Sequence, residues 1–170
     1  MTTRTILATV AALVAAALTT TALAASTAKD PKTMVLQKSD FLPARASLWR
    51  EPETDKNPQV STYAVYYRYK TGSKTFDLIS TASVMNPRLA KSAWREVRTL
   101  VQGDRKLSLP KYGGTEQVAG LAREDNAGQL WVLKGGTIWS ISVLGPITTA
   151  DAVAQLQRFG PLQQKRVGSG

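Results

Sequence analysis

The chain has 170 residues, with 22 Lys and Arg against 12 Asp and Glu, for a formal net charge of +10 at neutral pH. It contains neither cysteine nor histidine. Those absences exclude disulfides, zinc and copper centres built on thiolate or imidazole, Cys–His and Ser–His nucleophile pairs, and an imidazole general base. Calcium or magnesium held by carboxylates alone is chemically allowed. No D-x-[DN]-x-[DN]-G loop occurs, however, and no metal or other cofactor is expected.

Residues 1–24 read as a secretory signal. Arg4 is followed by an apolar run from Ile6 to Leu18 and then by Ala22-Leu23-Ala24, a small-x-small triplet suited to cleavage near Ala24. The run is rich in alanine and breaks at Thr19-Thr20-Thr21, so it is weakly apolar for a permanent span of about 20 residues. No cysteine follows to carry a lipid. The expectation is an exported protein, periplasmic or extracellular, with at most peripheral membrane contact. The remainder suits a flexible lead over 25–33, a single α+β domain over 34–162 and a disordered tail over 163–170.

Within the domain, Met34-Val35-Leu36 suggests a short strand. Ser39 to Pro43 suggests a turn, with Phe41 and Leu42 tucked inward. Trp49 to Ser61, with two prolines and mixed charge, reads as a loop; its Glu51-Pro52-Glu53-Thr54-Asp55 cluster lacks the glycine and spacing of a cation site. Tyr63 to Tyr69 and Thr75 to Val84 alternate as strands around turn residues 70–74. Asn86-Pro87 then offers an N-cap and a first-turn proline for a helix ending near Gly103.

A second unit repeats this order. Residues 130–134 and 137–143 form a hairpin around Gly135-Gly136, a pair that tolerates positive φ and favours a two-residue turn. The register places 133 opposite 138, 132 opposite 139 and 131 opposite 140. After Gly145-Pro146, Thr148 or Thr149 caps a helix expected to end at Gly160-Pro161. Two hairpin-then-helix units predict an antiparallel sheet with helices on one face. That order of elements is similar to Mog1/PsbP-like domains, a likeness of architecture that implies no activity.

Three surfaces stand out. On the helix after Pro87, Arg88, Lys91, Arg95 and Arg98 fall at spacings of three, four and three along one face. Leu89, Ala93, Trp94, Val97, Leu100 and Val101 lie opposite. Ser61 to Lys111 holds ten Lys/Arg and three Asp/Glu, whereas Tyr112 to Gln164 holds three and four, so the positive charge is concentrated near this helix. The face suits an anionic envelope component or an acidic protein, or is simply solvated. Nucleic acid is not expected, since export removes the opportunity and no nucleic-acid-binding motif occurs.

In the second hairpin, Trp131, Leu133 and Ile138 share a face with Ser140 and Ser142. They form either one wall of an apolar groove or buried packing beneath a loop such as 49–61. Tyr63, Tyr67 and Tyr69 share another face, as a stacking platform or as core, while Tyr66 and Arg68 point away. Asp77, Glu96, Glu116 and Glu124-Asp125 are single acids that the sequence does not pair.

The reading is an exported, non-catalytic binding or accessory domain of the bacterial envelope. A small carboxylate-dependent hydrolase and a structural subunit of an envelope complex are the alternatives.

Overall fold

Two hairpins supply the centre of one antiparallel sheet. In the computed structural model, β2 (Val60–Thr71) turns through Gly72-Ser73 into β3 (Lys74–Met85), with Val60 opposite Met85 and Thr71 opposite Lys74. β6 (Ala127–Lys134) and β7 (Thr137–Leu144) meet across Gly135-Gly136, with Leu133 opposite Ile138, Val132 opposite Trp139 and Trp131 opposite Ser140. Gly135 takes φ +59°, a value that a side chain would strain. β3 pairs with β7 and joins the two hairpins. The flanks are β1 (Ala46–Lys56) on one side and β5 (Glu116–Ala122) with the two-residue β4 (Arg105–Lys106) on the other, giving the order β1-β2-β3-β7-β6-β5-β4. The structure describes residues 30–101, 104–122, 126–145 and 147–168; the signal peptide expected over 1–24 lies outside the described residues.

Two long helices complete the α+β fold, α1 (Pro87–Val101) and α2 (Thr149–Gly168). Asn86 Oδ1 caps α1 by accepting the Arg88 N–H at 2.8 Å. Thr148 and Asp151 cap α2 reciprocally. The Thr148 hydroxyl accepts the Asp151 N–H at 3.2 Å, and the Asp151 carboxylate accepts the Thr148 N–H at 2.9 Å. Among the described residues, no helix is long and apolar enough to cross a membrane.

The helices lie on opposite faces of the sheet, which corrects the expectation of a single helical face. Successive strand residues point to opposite sides. Leu130, Val132, Trp139, Ile141 and Val143 share a core with Ala152, Leu156 and Phe159 of α2. The intervening Trp131, Leu133 and Ile138 pack with Ala90, Ala93, Trp94 and Val97 of α1. β7 is therefore buried at both parities, as a strand covered on both sides must be.

Five local expectations are also corrected. Residues 46–56 form β1 where a loop over 49–61 is expected. Strand character there comes from pairing with β2, and two register shifts flanking Arg50 absorb the irregular segment at an edge that tolerates Pro52. Met34-Val35-Leu36 is not a strand. It follows a 3-10 turn at Pro31–Thr33 and plugs the α2-side core, with each residue at most 1% exposed. Its backbone is satisfied by a side chain, the Leu36 N–H donating to Ser80 Oγ at 3.0 Å. Pro31 is buried, so the fold begins within the expected lead. Phe41 sits among Tyr67, Tyr69 and Phe159, whereas Leu42 is 70% exposed where burial is expected; the chain has already turned outward after the aromatic contact.

The fifth correction concerns the tail. α2 continues through Gly160-Pro161 to Gly168. An interior proline costs a helix about 3 kcal/mol through a lost hydrogen bond and a clash. Tertiary anchors beyond it offset that cost. Buried Gln163 accepts from Ser80 Oγ at 2.9 Å and donates to the Thr81 carbonyl at 3.0 Å. Arg166 grips both oxygens of Asp40 at 2.8 and 2.9 Å, and Val167 is buried in the core.

Candidate functional site

α1 presents the basic face that its sequence encodes. Ala90, Ala93, Trp94, Val97 and Val101 are buried against the sheet, while Arg88, Lys91, Arg95 and Arg98 are all exposed. Leu100, expected on the buried side, is 47% exposed. At 100° per residue the four cations span an arc of about 80° and a length of about 15 Å. Arg98 lies 3.6 Å from Glu116 Oε2, an exposed pair of little energetic weight. Among the described residues, Arg88, Lys91 and Arg95 have no carboxylate within ion-pair distance. Other arginines are tied down. Arg68 binds Asp77 at 2.6 and 2.7 Å, Arg166 binds Asp40, and Arg158 donates to the Phe41 carbonyl at 2.9 Å.

The local energetics of α1 are unfavourable in two ways. Its first turn contains Arg88 and no acid, so a cation faces the positive end of the helix dipole. The cations also repel one another at i,i+3 and i,i+4 spacing. Each effect is worth a few tenths of a kcal/mol.

Trp131, Leu133 and Ile138 are brought together, but beneath α1. They are 7%, 2% and 5% exposed. Their cover is the helix, not the segment 49–61, and they form packing instead of an open groove wall. Tyr67 and Tyr69 are core residues around Phe41, and Tyr69 donates its hydroxyl to Gln155 at 2.9 Å. The single acids do not converge. Asp77 is engaged by Arg68, and Glu116 accepts the Trp94 indole N–H at 2.7 Å. Glu96 lies on α1, and Glu124-Asp125 lies outside the described residues.

A second constellation lies on the α1 face of the sheet, beside the helix. Thr62, Thr81, Ser83, Ser140 and Ser142 come from β2, β3 and β7 and point to the same side. Thr62 lies opposite Ser83, and Thr81 opposite Ser140. Thr81, Ser140 and Ser142 are 4%, 3% and 5% exposed, yet among the described residues their hydroxyls have no hydrogen-bond partner; Thr62 and Ser83 bond each other at 2.9 Å. The far border is Trp49, which the register Leu48 opposite Tyr67 carries onto the Tyr66 side of the sheet, next to the irregularity at Arg50. Its ring meets Tyr66 at 5.6 Å and packs against the cluster containing Ala64 and Ile79. The Trp49 indole nitrogen is buried without a partner among the described residues.

Tyr66 donates its hydroxyl to Glu53 at 2.7 Å, and Arg50, paired with Glu53, lies over the Tyr66 ring. Burial first, and then the Glu53 contact, raise the Tyr66 phenol well above its ordinary pKa, so it stays neutral. Sequence reading put Ser140 and Ser142 on this face. It could not find Trp49, because residues 46–56 alternate as a strand only once β1 pairs with β2.

No family model, curated protein or solved structure matches the chain.

Proposed function

We propose that this protein is an exported, non-catalytic binding or accessory domain of the bacterial cell envelope that engages an anionic partner through the exposed face of α1. The observation that supports this reading is the row Arg88, Lys91 and Arg95, which faces solvent and among the described residues has no carboxylate within ion-pair distance, while other arginines are held by carboxylates or a carbonyl. A helix that keeps cations at its positive end gives up stability a neutral face would retain, and an anionic surface recovers it. The signal-like segment over 1–24 supports export, and export makes envelope anions the available partners.

The test is retention of the full-length mature protein on vesicles containing phosphatidylglycerol, and on an anionic polymer resin, at low ionic strength. Charge reversal of Arg88, Lys91, Arg95 and Arg98 together should abolish retention, and added salt should weaken the parent in a graded way. Retention unchanged by the four reversals sinks the reading.

A further inference from the structure

We propose that the hydroxyl-lined strip between α1 and Trp49 binds a neutral, hydroxyl-rich ligand of the saccharide class, one or two sugar rings in size. Thr81, Ser140 and Ser142 are almost completely buried, and their hydroxyls find no partner among the described residues. The Trp49 indole N–H, at the border of the strip, is likewise unpartnered. A buried polar atom left unpaired is costly, and the orphaned Trp49 indole N–H beside three hydroxyls without a protein partner points to something that pairs them.

The chemistry of the lining selects the ligand class. A serine or threonine hydroxyl both donates and accepts, as does the hydroxyl of a sugar, so the two match in either orientation. An apolar ligand would leave the three hydroxyls and the indole unpaired. A charged ligand would need a counter-charge that the floor does not offer, because Arg50 and Glu53 at the border are paired with each other. The half-buried Trp49 ring, held in place by Tyr66, supplies the flat apolar surface that a sugar ring stacks on.

Size follows from strand geometry. From the Thr62–Ser83 pair to Ser142 the strip covers two side-chain repeats along the strands, about 13 Å, and it crosses three strands, about 10 Å. α1 bounds the other side. Trp94 and Arg98 reach from one flank of the helix toward Glu116 on β5, so Leu89, Glu96 and Leu100, on the opposite flank, stand toward the strip.

The experiment follows the four tryptophan indole N–H resonances of the whole mature protein by NMR. Glucose, galactose, mannose and N-acetylglucosamine are added in turn at millimolar concentration. The Trp49 signal, assigned with Trp49→Phe, should shift with at least one sugar while the core Trp139 signal stays fixed. Ser140→Ala combined with Ser142→Ala should weaken the apparent affinity about tenfold, the loss that two hydrogen bonds carry. That variant should keep the parent melting temperature, because neither hydroxyl has a protein partner to lose. The quadruple charge-reversed α1 protein should bind the neutral sugar as the parent does, which separates this site from the basic face. A Trp49 signal unmoved by all four sugars, as when ordered water alone fills the strip, overturns the proposal. So does a shift that survives Ser140→Ala with Ser142→Ala at full affinity.

Discussion

Gly160 lies beneath the ring of Tyr112, so close that a Cβ on Gly160 would stand 2.7 Å from the ring's Cζ. No real side chain packs at that distance, and the facing atoms belong to a ring that cannot fold aside. Replacing a mid-helix glycine by alanine ordinarily stabilises a helix by about 0.5–1 kcal/mol. Gly160→Ala should instead destabilise this protein by about 1–3 kcal/mol in urea unfolding, the usual range for overpacking. In a Tyr112→Ala background the same change should become neutral or stabilising. A Gly160→Ala protein as stable as the parent would count against the packing.

The last turns of α2 carry the second prediction. Leu36 N–H, Ser80 Oγ and Gln163 form one buried relay, closed by the Gln163 donation to the Thr81 carbonyl. Gln163→Leu keeps the volume but removes the acceptor of the Ser80 O–H and the donor to the Thr81 carbonyl. It should cost about 1–3 kcal/mol, measured by the urea midpoint. Truncation after Leu162 should be more severe, since it also removes Val167 and the Arg166 grip on Asp40. A truncated protein with the parent melting temperature would restore the tail to irrelevance.

Arg88 separates stability from binding. Arg88→Glu places an acid in the first turn of α1 and relieves repulsion with Lys91. It should raise stability by about 0.3–1 kcal/mol in denaturant melts at low salt. The same substitution should weaken retention on anionic vesicles. Loss of both properties together would show that Arg88 has a structural partner.

Asp151 sets an acid limit. The Lys74 ammonium, at 2.7 and 2.8 Å, and then the Thr148 N–H and hydroxyl, hold its carboxyl down at about 2. A carboxyl whose folded value is depressed contributes stability above its unfolded value, about 4, and loses it as pH falls toward the folded value. Thermal melts of the parent should therefore drop across the interval from about 4 to about 2. Asp151→Asn should have a lower melting temperature at neutral pH and a shallower acid decline. An acid decline equally steep in Asp151→Asn would remove Asp151 from the account.

Much of the architecture was legible because it rests on short-range rules. Gly135-Gly136 sets the register of β6 on β7 since glycine alone accepts the left-handed turn without strain. Asn86-Pro87 starts α1 because the cap and the missing N–H act within one turn. The basic face was legible for the same reason, since helical spacing alone places Arg88, Lys91, Arg95 and Arg98 together on the exposed side. Burial of Trp131, Leu133 and Ile138 was only half legible. Their shared face could be read from alternation, but not which element covers it.

What the residues determined by themselves is local: turn type, helix starts, the alternation that makes strands, and the charge pattern along α1. What tertiary structure decided is everything whose energy lies between distant segments. β1 is a strand because β2 offers it a ladder, although its own composition reads as loop. α2 passes Gly160-Pro161 because Tyr112 needs the glycine and because Ser80, Thr81 and Asp40 hold the residues beyond it. The strip of hydroxyls beside Trp49 belongs to the same class. It exists only where β2, β3 and β7 lie side by side and the pairing of β1 with β2 brings an edge tryptophan onto the same face.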